Sequence, residues 1–278
     1  MADILYHYCS TDALHAIMST GKIRLSSMKL SNDHKEGQWI IDAVKRKYAS
    51  GIPTPEISLI LKYLTKCATD FSAMAFCLSE IPDLLSQWRG YADDGHGFCL
   101  GFSKAVLEKV CSDSFLDLSE ITYMSINDEI VIDEYISNIL NLVRDIDILL
   151  YLTEDEALNF FSSMETTYID QLDDAREDII EAFSTATDNF FKYKSPSFKE
   201  EKEWRIIYSD YGLNNLSFRP SRNRIIPYKE INIKKYRDIF SEIFIGPRNI
   251  TPENVLADMV SSYGFSRPKI VRSSSTYR

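Results

Sequence analysis

The chain of 278 residues lacks the features that define several large protein classes. It has no C-x-x-C pair, which argues against a disulfide scaffold and against the usual spacing of a zinc site. No apolar run reaches the roughly 20 residues that cross a bilayer, and the first residues lack the basic and apolar regions of a signal peptide. These absences predict a soluble, cytoplasmic chain with reduced thiols and no membrane partner. The five cysteines are Cys9, Cys67, Cys77, Cys99 and Cys111.

Positive charge is also scarce. Lysine and arginine number 31 against 41 acidic residues, which gives a formal net charge of −10. A protein with this balance has no general attraction to phosphate backbones or to anionic membranes. The charge therefore disfavours a non-specific nucleic-acid binder, although it leaves room for an enzyme with a local basic cleft.

Several signature motifs of enzymes are missing as well. No G-x-S-x-G elbow, P-loop or G-x-G-x-x-G is present, so hydrolase, NTPase and Rossmann interpretations lack their usual support. Asp33, His34 and Glu36 lie close together on a turn, but His15 and His96 do not complete a ligand set. The sequence therefore predicts no metal site, and a metal-dependent nuclease is the weaker alternative.

The cysteines near the strand-like runs give no nucleophile signal. Cys9, Cys77 and Cys99 lie in "HYCS", "AFCLS" and "GFCLGF", among apolar residues. Free cysteine in such a setting behaves as a small buried hydrophobe, and neither Cys9 nor Cys77 has an obvious positive charge to activate it. We expect these thiols to be buried and inert.

What is present is a pattern of short strands and capped helices. "ILYHYC" reads as a strand, "STDALHAIMSTG" as a helix capped by Ser10 or Thr11 and ended at Gly21, and "KIRLSSM" as the next strand. From 127 to 192 the pattern changes to long acidic amphipathic segments, which predict a helical insert. We expect one α+β domain over 1–278, with a mixed or antiparallel sheet and the insert 127–192 within it.

Two regions offer polar and aromatic side chains near predicted strand ends. His7 lies in an apolar strand, where it is either a half-buried histidine bonded to backbone or a group that holds a ligand hydroxyl. Trp88, Arg89 and Tyr91 in "LSQWRGYADD" either form a packing corner or stack on a ring and hold a phosphate. The residues alone leave both alternatives open in each region.

Glu203 stands at the start of the run "EWRIIYSD". If a strand begins near Lys202, Glu203 and Arg205 share one face with Ile207. The opposite face then carries Trp204 and Ile206. This alternation turns Glu203 and Arg205 toward the same side.

The surrounding run "KEEKE" allows two interpretations of that carboxylate. In the first, Glu203 is an exposed acid balanced by Lys199 and Lys202. In the second, it points into a site. Glu200 and Glu201 are expected to be solvated in either case.

Taken together, the motifs resemble a bacterial family known as domain of unknown function 2971. The resemblance covers nearly the whole chain, with 127 to 192 the least distinctive part, and the family name implies no activity. The stretches that carry it are "LYHYCS", "IRLSSMKLSND", "FCLSEIPDLLSQWRGYADDGHGFCLGF", "KEEKEWRI" and "EIFIGP".

The opening "LYHYCSTDALHAIMSTGKIRLSS" is distantly similar to the start of ADP-ribosyltransferases. That resemblance implies that His7 holds the adenosine ribose of NAD and that Glu203, the catalytic residue, contacts the nicotinamide ribose. Ser26 and Ser27 fall on the second strand, which frames the nicotinamide, and Tyr91 is the residue expected to stack on it. The implied NAD-binding set comprises His7, Tyr8, Ser26, Ser27, Tyr91 and Arg205.

The resemblance implies a sheet core of the ADP-ribosyltransferase-like type, and it also leads to an expectation about function. It implies a glycosyltransferase that uses NAD as substrate to modify nucleic acid or protein, as a toxin or antiviral defence effector with a regulatory or antitoxin partner. The alternative is a non-catalytic binding or sensor module, whose acidic helical insert contacts a partner protein.

Overall fold

The computed structural model describes residues 3–31, 35, 37–49, 51, 53–54, 57–58, 60–62, 64–65, 72–144, 189–210, 216–221 and 223–277. Over these residues the chain is a mixed α+β protein built on a mixed β-sheet, which confirms the predicted class at that level. Asp33, His34, Glu36 and Cys67 lie outside the described residues, as do residues 145–188 of the expected insert.

The strands are β1 (Ile4–Cys9), β2 (Lys22–Ser27), β3 (Ser72–Ser79), β4 (Phe98–Ser103), β5 (Asp117–Glu120), β6 (Thr122–Tyr123), β7 (Tyr193–Lys194), β8 (Glu203–Asp210), β9 (Ser217–Ser221), β10 (Arg224–Asn232), β11 (Phe240–Ile245) and β12 (Lys269–Arg272). The helices are α1 (Thr11–Thr20), α2 (Trp39–Tyr48), α3 (Leu85–Tyr91), α4 (Lys104–Asp113), α5 (Glu129–Arg144) and α6 (Glu253–Ser262). Short 3-10 segments cover Met28–Leu30, Asn189–Lys192 and Pro196–Glu201.

The first helix begins and ends where its residue types predict. The Ser10 side chain accepts a hydrogen bond from the Ala13 amide at 3.2 Å, which satisfies one of the free donors of the first turn. Gly21 ends α1 at φ +63°, a left-handed conformation that glycine adopts without a Cβ clash. The helix is therefore only ten residues long, and the chain enters β2 directly after it.

The large sheet has the order β12-β11-β4-β1-β3-β2-β10-β9, with β8 on β3 and β5 on β8. The β11–β12 pair is parallel, while the neighbouring β11–β4 and β4–β1 pairs are antiparallel. Strands distant in the sequence are thus brought together, and β1 and β2 reach the centre of the sheet.

The sheet forks at β3. Strand β8 pairs with β3 along its full length, from Ser72 to Ser79. Because one edge of β3 is taken, β1 and β2 share the other: β1 pairs only at Ser79, and β2 only at Met74 and Ala75. Residues 76–78 face the gap between the two strands, and this gap opens a cavity.

Two apolar cores lie on opposite faces of β8. Ile206 packs in a cluster with α1, β4 and β11, whereas Ile207 packs in a second cluster with α2 and α5. The predicted alternation along "EWRIIYSD" is confirmed, since Trp204 and Ile206 lie on one side and Ile207 on the other. Both faces of β8 are buried, which fixes its register firmly.

The described part of the expected insert is helical. Helix α5 buries Ile132, Tyr135, Ile136 and Ile139 in the second cluster, so its apolar stripe belongs to the core rather than to a detached subdomain. Within the described residues, no helix combines the length and the apolar character needed to span a membrane.

Candidate functional site

A cavity of about 610 Å³ lies where β1 and β2 diverge from β3. Its walls come from β1, β2, β3, α3, the segment before β8, and the β9–β10 hairpin. All seven residues of the predicted site line it: His7, Tyr8, Ser26, Ser27, Tyr91, Glu203 and Arg205. Residues far apart in the sequence therefore meet at one place, although their roles stay predictions.

Glu203 is a buried carboxylate, with a relative exposure of 5%. Its Oε1 accepts from Arg205 Nε at 2.6 Å, and its Oε2 accepts from Arg205 Nη2 at 2.8 Å and from Lys194 Nζ at 2.9 Å. Arg205 is anchored in turn by donating from Nη1 to the Phe191 carbonyl at 2.8 Å. The interpretation of Glu203 as an exposed acid balanced by Lys199 and Lys202 is wrong, because its partners are Arg205 and Lys194.

This environment determines the charge of Glu203. Burial alone would raise the pKa of the carboxyl, but Arg205 and Lys194 outweigh it and lower the pKa to about 2. A carboxylate has about four acceptor positions, of which three are used here. Among the residues that the structure describes, no donor occupies the remaining position on Oε1.

Glu201 is not the solvated charge that the sequence suggests. Its side chain is only 13% exposed, and it accepts from Lys194 Nζ at 2.7 Å. Burial raises its pKa despite Lys194. Lys202 explains why Glu201 is not solvated. Its backbone is left-handed at φ 40°, and it turns the chain so that Glu201 and Glu203 both reach Lys194.

Lys194 is one of the lining residues that the sequence did not identify. It is 5% exposed, lines the cavity, and its ammonium also lies 4.5 Å from the centre of the Phe198 ring. The cluster of Lys194, Glu201, Glu203 and Arg205 balances two positive charges against two negative ones. Nothing in the local pattern marks Lys194, because β7 places it there by pairing with β6.

His7 is held by a backbone carbonyl in the fork. Its Nδ1 lies 2.8 Å from the Cys77 oxygen, and because a carbonyl only accepts, Nδ1 carries the proton. The ring stacks on Phe76 at 4.1 Å between centroids, and burial lowers the pKa of the imidazole to about 4. The neutral ring therefore has Nε2 as an acceptor, for which no partner occurs among the described residues. The interpretation of His7 as a histidine bonded to backbone is therefore confirmed, while its role in holding a ligand hydroxyl stays a prediction.

The aromatic residues divide into packing and lining groups. Trp88 is fully buried and donates to Asp83 at 2.6 Å, whereas Arg89 lies on the Tyr277 ring, and neither lines the cavity. Tyr91, at the end of α3, lines the cavity with 43% of its surface exposed. Its ring is therefore available for stacking.

Tyr8 lines the cavity but is committed to the structure. Its hydroxyl donates to the Ile81 carbonyl at 2.8 Å and accepts from the Leu84 amide at 2.9 Å. Burial raises the pKa of this hydroxyl, so it stays protonated. Tyr8 positions the loop between β3 and α3 and thereby the start of α3.

Two buried polar side chains have no hydrogen-bond partner within the described part of the chain. Ser27, at 7% exposure, and Gln87, at 8%, both line the cavity. Unpaired buried polar groups are rare, because each loses its bonds to water. Gln87 lies one turn before Tyr91 on α3, a spacing that could have identified it as a lining residue.

The cysteines follow the sequence prediction in part. Cys9 and Cys99 are buried, and burial raises the pKa of Cys9 to about 12. Cys77 is exposed and lines the cavity, so the expectation that it is buried is wrong. It lies in the gap where β3 has neither β1 nor β2 beside it.

Ser26 is tied to a group of arginines at the rim. Its hydroxyl accepts from Arg219 Nη2 at 3.4 Å, and Arg24 and Arg224 line the same rim. Among the described residues, no group of three or more histidine, cysteine or acidic side chains could hold a metal ion. The rim is thus a cationic feature of a chain that is acidic as a whole.

Residues 87–206 match a family described as "Protein of unknown function (DUF2971)". Over these residues the chain matches DUF2971. The DUF2971 segment begins at Gln87 on α3 and ends one residue after Arg205, so it supplies the Tyr91 and Glu203 walls of the cavity, while β1 and β2 lie outside it. No curated protein and no solved structure matched the chain.

Proposed function

We propose that the chain is an ADP-ribosyltransferase-like enzyme that cleaves NAD in the cavity at the β3 fork. One observation carries the proposal: His7 on β1 and Glu203 at the start of β8 line the same cavity, together with the other residues that the resemblance implies. The acceptor, nucleic acid or protein, and the role as a toxin or antiviral effector with a regulatory or antitoxin partner are carried over from the resemblance.

Glu203 would act on the bond between C1′ of the ribose and the nicotinamide nitrogen. As that bond breaks, its electron pair leaves with nicotinamide and positive charge develops on the ribose. An ionised carboxylate held rigidly by Arg205 and Lys194 can stabilise this charge. Its free acceptor position can accept a hydrogen bond from the 2′-hydroxyl. The acceptor nucleophile then forms the new bond to C1′.

Glu201 would remove the proton that the acceptor nucleophile loses. Its raised pKa brings the carboxyl closer to the working range of a general base than Glu203, whose pKa is lowered. Lys194 contacts both carboxylates, so it holds them side by side at the same wall. The two glutamates thus have different environments and, in this proposal, different tasks.

The remaining walls suit the other parts of a dinucleotide. Nε2 of His7 can accept a ribose hydroxyl, the exposed Tyr91 ring can stack on a base, and the Gln87 amide can pair with a carboxamide. A cavity of about 610 Å³ lies within the usual range of ligand sites. NAD is thus a chemically reasonable substrate for these residues.

Labelled NAD incubated with the protein and a cell lysate tests the proposal. We expect label transfer or NAD loss with wild type, and a decrease of about 100- to 1000-fold for Glu203→Gln, since this removes the charge that stabilises the transition state. Glu200→Gln is the matched control, because Glu200 is exposed and next to the site in sequence. If wild type neither transfers label nor consumes NAD, and Glu203→Gln behaves identically, the proposal fails.

A binding or sensor module is the second candidate. The observation that favours it is the pairing of Glu203 with two cations, which leaves the carboxylate a single acceptor position. In that case NAD or a related ligand binds to wild type without being consumed. Substitution of exposed acids on the described part of the insert, Glu129→Gln/Glu134→Gln on α5, would then weaken capture of a partner protein and leave NAD levels unchanged.

A further inference from the structure

Three arginines come together at the rim of the cavity because of strand register. Arg24 pairs with Glu230 between β2 and β10, while Arg219 pairs with Ile226 between β9 and β10. Arg224 pairs with Ser221 at the start of the same hairpin. Every second residue of a strand lies on the same face of the sheet, and paired residues on neighbouring strands share that face. The three arginines therefore lie on the side of the sheet that lines the cavity.

This arginine rim, formed by Arg24, Arg219 and Arg224, has little acidic compensation. Arg24 Nε lies 3.3 Å from Glu230, but that carboxylate is shared with Lys22 at 2.7 Å. Arg219 donates only to the neutral Ser26 hydroxyl, and Arg224 has no partner among the residues that the structure describes. The guanidinium groups of Arg219 and Arg224 therefore line the cavity mouth without an acidic partner among the described residues.

The arginines also repel one another. Burial and the neighbouring Arg24 and Arg224 lower the pKa of Arg219, which shows that the group is in a positive local field. In a chain with a net charge of −10, nearby acids would be the simplest way to relieve that repulsion. Within the described residues, Glu230 is the one acid bonded to this rim, and Lys22 shares it, so the rim keeps an excess of positive charge that an anionic ligand could neutralise.

We propose that the arginine rim binds the phosphate groups of a nucleotide ligand, either a free dinucleotide or a nucleic-acid strand. Guanidinium forks match phosphate oxygens in pairs, and two arginines on adjacent strands can contact consecutive phosphates. The neutral side chains of Ser221 and Asn223 line the same mouth and add donors. The inference rests on the proposed function only in placing the ligand in this cavity, because phosphate binding does not require turnover.

Calorimetric titration of the full chain tests this site with three probes: inorganic pyrophosphate, NAD, and a short single-stranded oligonucleotide. The test variant is Arg219→Gln/Arg224→Gln, on an edge hairpin where neither side chain supports the core. The control is Lys45→Gln/Arg46→Gln, which removes the same two charges from an exposed position on α2. Melting temperatures of both double variants verify that they are folded.

We expect the test variant to lose about 10- to 100-fold in affinity for a probe that wild type binds, while the control stays near wild type. Binding of pyrophosphate and NAD alone would identify a free dinucleotide as the source of the phosphates. Binding of the oligonucleotide, with a salt dependence that becomes shallower in the test variant, would identify a strand. Either result supports the site.

The site is overturned if wild type binds none of the three probes, or if test and control variants bind them equally. These outcomes are separable from those of the proposed function. Pyrophosphate binding that depends on the rim, without any NAD loss, would leave the site standing and remove the transferase. NAD consumption by wild type, together with equal binding of all three probes by the test and control variants, would do the reverse.

Discussion

Glu203 differs from Glu200 because of what surrounds its carboxylate. Glu200 is exposed, whereas Glu203 is buried between Arg205 and Lys194. A carboxylate moved out of water is stable only where such partners replace its hydration. The same partners that make the burial possible also keep the group ionised.

The stability of the fold should report this environment. Glu203→Gln removes the negative charge that Arg205 and Lys194 share, and both cations stay buried. We therefore expect the free energy of unfolding to fall by about 3 kcal/mol at neutral pH. Glu200→Gln should change it by less than about 0.5 kcal/mol. Denaturant titrations of both variants measure the difference.

The dependence of stability on pH, compared between wild type and Glu203→Gln, tests the charge of this carboxylate. The folded-state pKa of Glu203 is about 2, below its ordinary value of 4.5, so its stabilisation is present above about pH 4.5 and is lost as the pH falls toward 2. The difference between wild type and Glu203→Gln should therefore narrow over that interval. A constant difference would show that the carboxylate is not ionised by its neighbours.

His7 should make stability depend on pH in a higher window. Its pKa falls from 6.5 to about 4 on folding, so the unfolded chain takes up the proton first as the pH drops. Relative to His7→Asn, which keeps a donor for the Cys77 carbonyl, wild type should lose about 2 kcal/mol of stability between pH 6.5 and 4. Parallel curves for the two proteins would contradict the buried neutral ring.

At the scale of elements, α3 depends on a single carboxylate. Asp83 accepts from Trp88 Nε1 and Ser273 Oγ on Oδ1, each at 2.6 Å, and from the amide and hydroxyl of Ser274 on Oδ2. Burial would raise its pKa, but these hydrogen bonds lower it. Asp83 thus joins the helix that carries Gln87 and Tyr91 to the segment after β12.

Asp83→Ala should loosen both ends of that connection. It removes the acceptor of the Trp88 indole N–H and of the Ser273 and Ser274 hydroxyls, so we expect a loss of about 2 to 3 kcal/mol in stability. Amide exchange should also become faster in α3 and around Ser274. Asp238→Ala, at an exposed position, is the control. Unchanged exchange in α3 would show that Trp88 packing alone holds the helix.

The elements also show what local sequence can and cannot predict. The stop at Gly21 and the alternation along β8 follow from short-range rules and were predicted correctly, and the structure selects Ser10 from the two predicted caps, Ser10 and Thr11. The fork of β3 depends on pairing between strands far apart in the chain, which periodicity does not encode. Lys194 was missed because the pairing of β7 with β6 brings it to Glu203, and Glu201 was missed because a 3-10 turn and the left-handed Lys202 do the same.

At the scale of the whole molecule, β8 separates two cores. Ile206 and Ile207 are neighbours in sequence, yet they pack in different clusters. This arrangement holds the wall with Glu203 and Arg205 rigid from both sides.

Alanine substitutions should show that both cores matter. We expect Ile206→Ala and Ile207→Ala each to lower the free energy of unfolding by about 2 to 4 kcal/mol, since each leaves a cavity. Ile225→Ala, at a position 59% exposed, is the matched control and should change little. If only one of the two core variants is destabilised, β8 is supported from one face alone.

The carbonyl of Cys77 has a consequence for how a ligand can be oriented. By fixing the proton of His7 on Nδ1, it leaves a hydrogen-bond acceptor at one wall of the cavity, while the arginine rim offers only donors. At neutral pH the acceptor on His7 favours a hydroxyl, which can donate a hydrogen bond, over a phosphate oxygen, which cannot. At the rim the arginine donors favour the phosphate oxygen. A single missing stretch of strand pairing thus gives the cavity a polarity, and a ligand with sugar at one end and phosphate at the other has one favourable direction of entry.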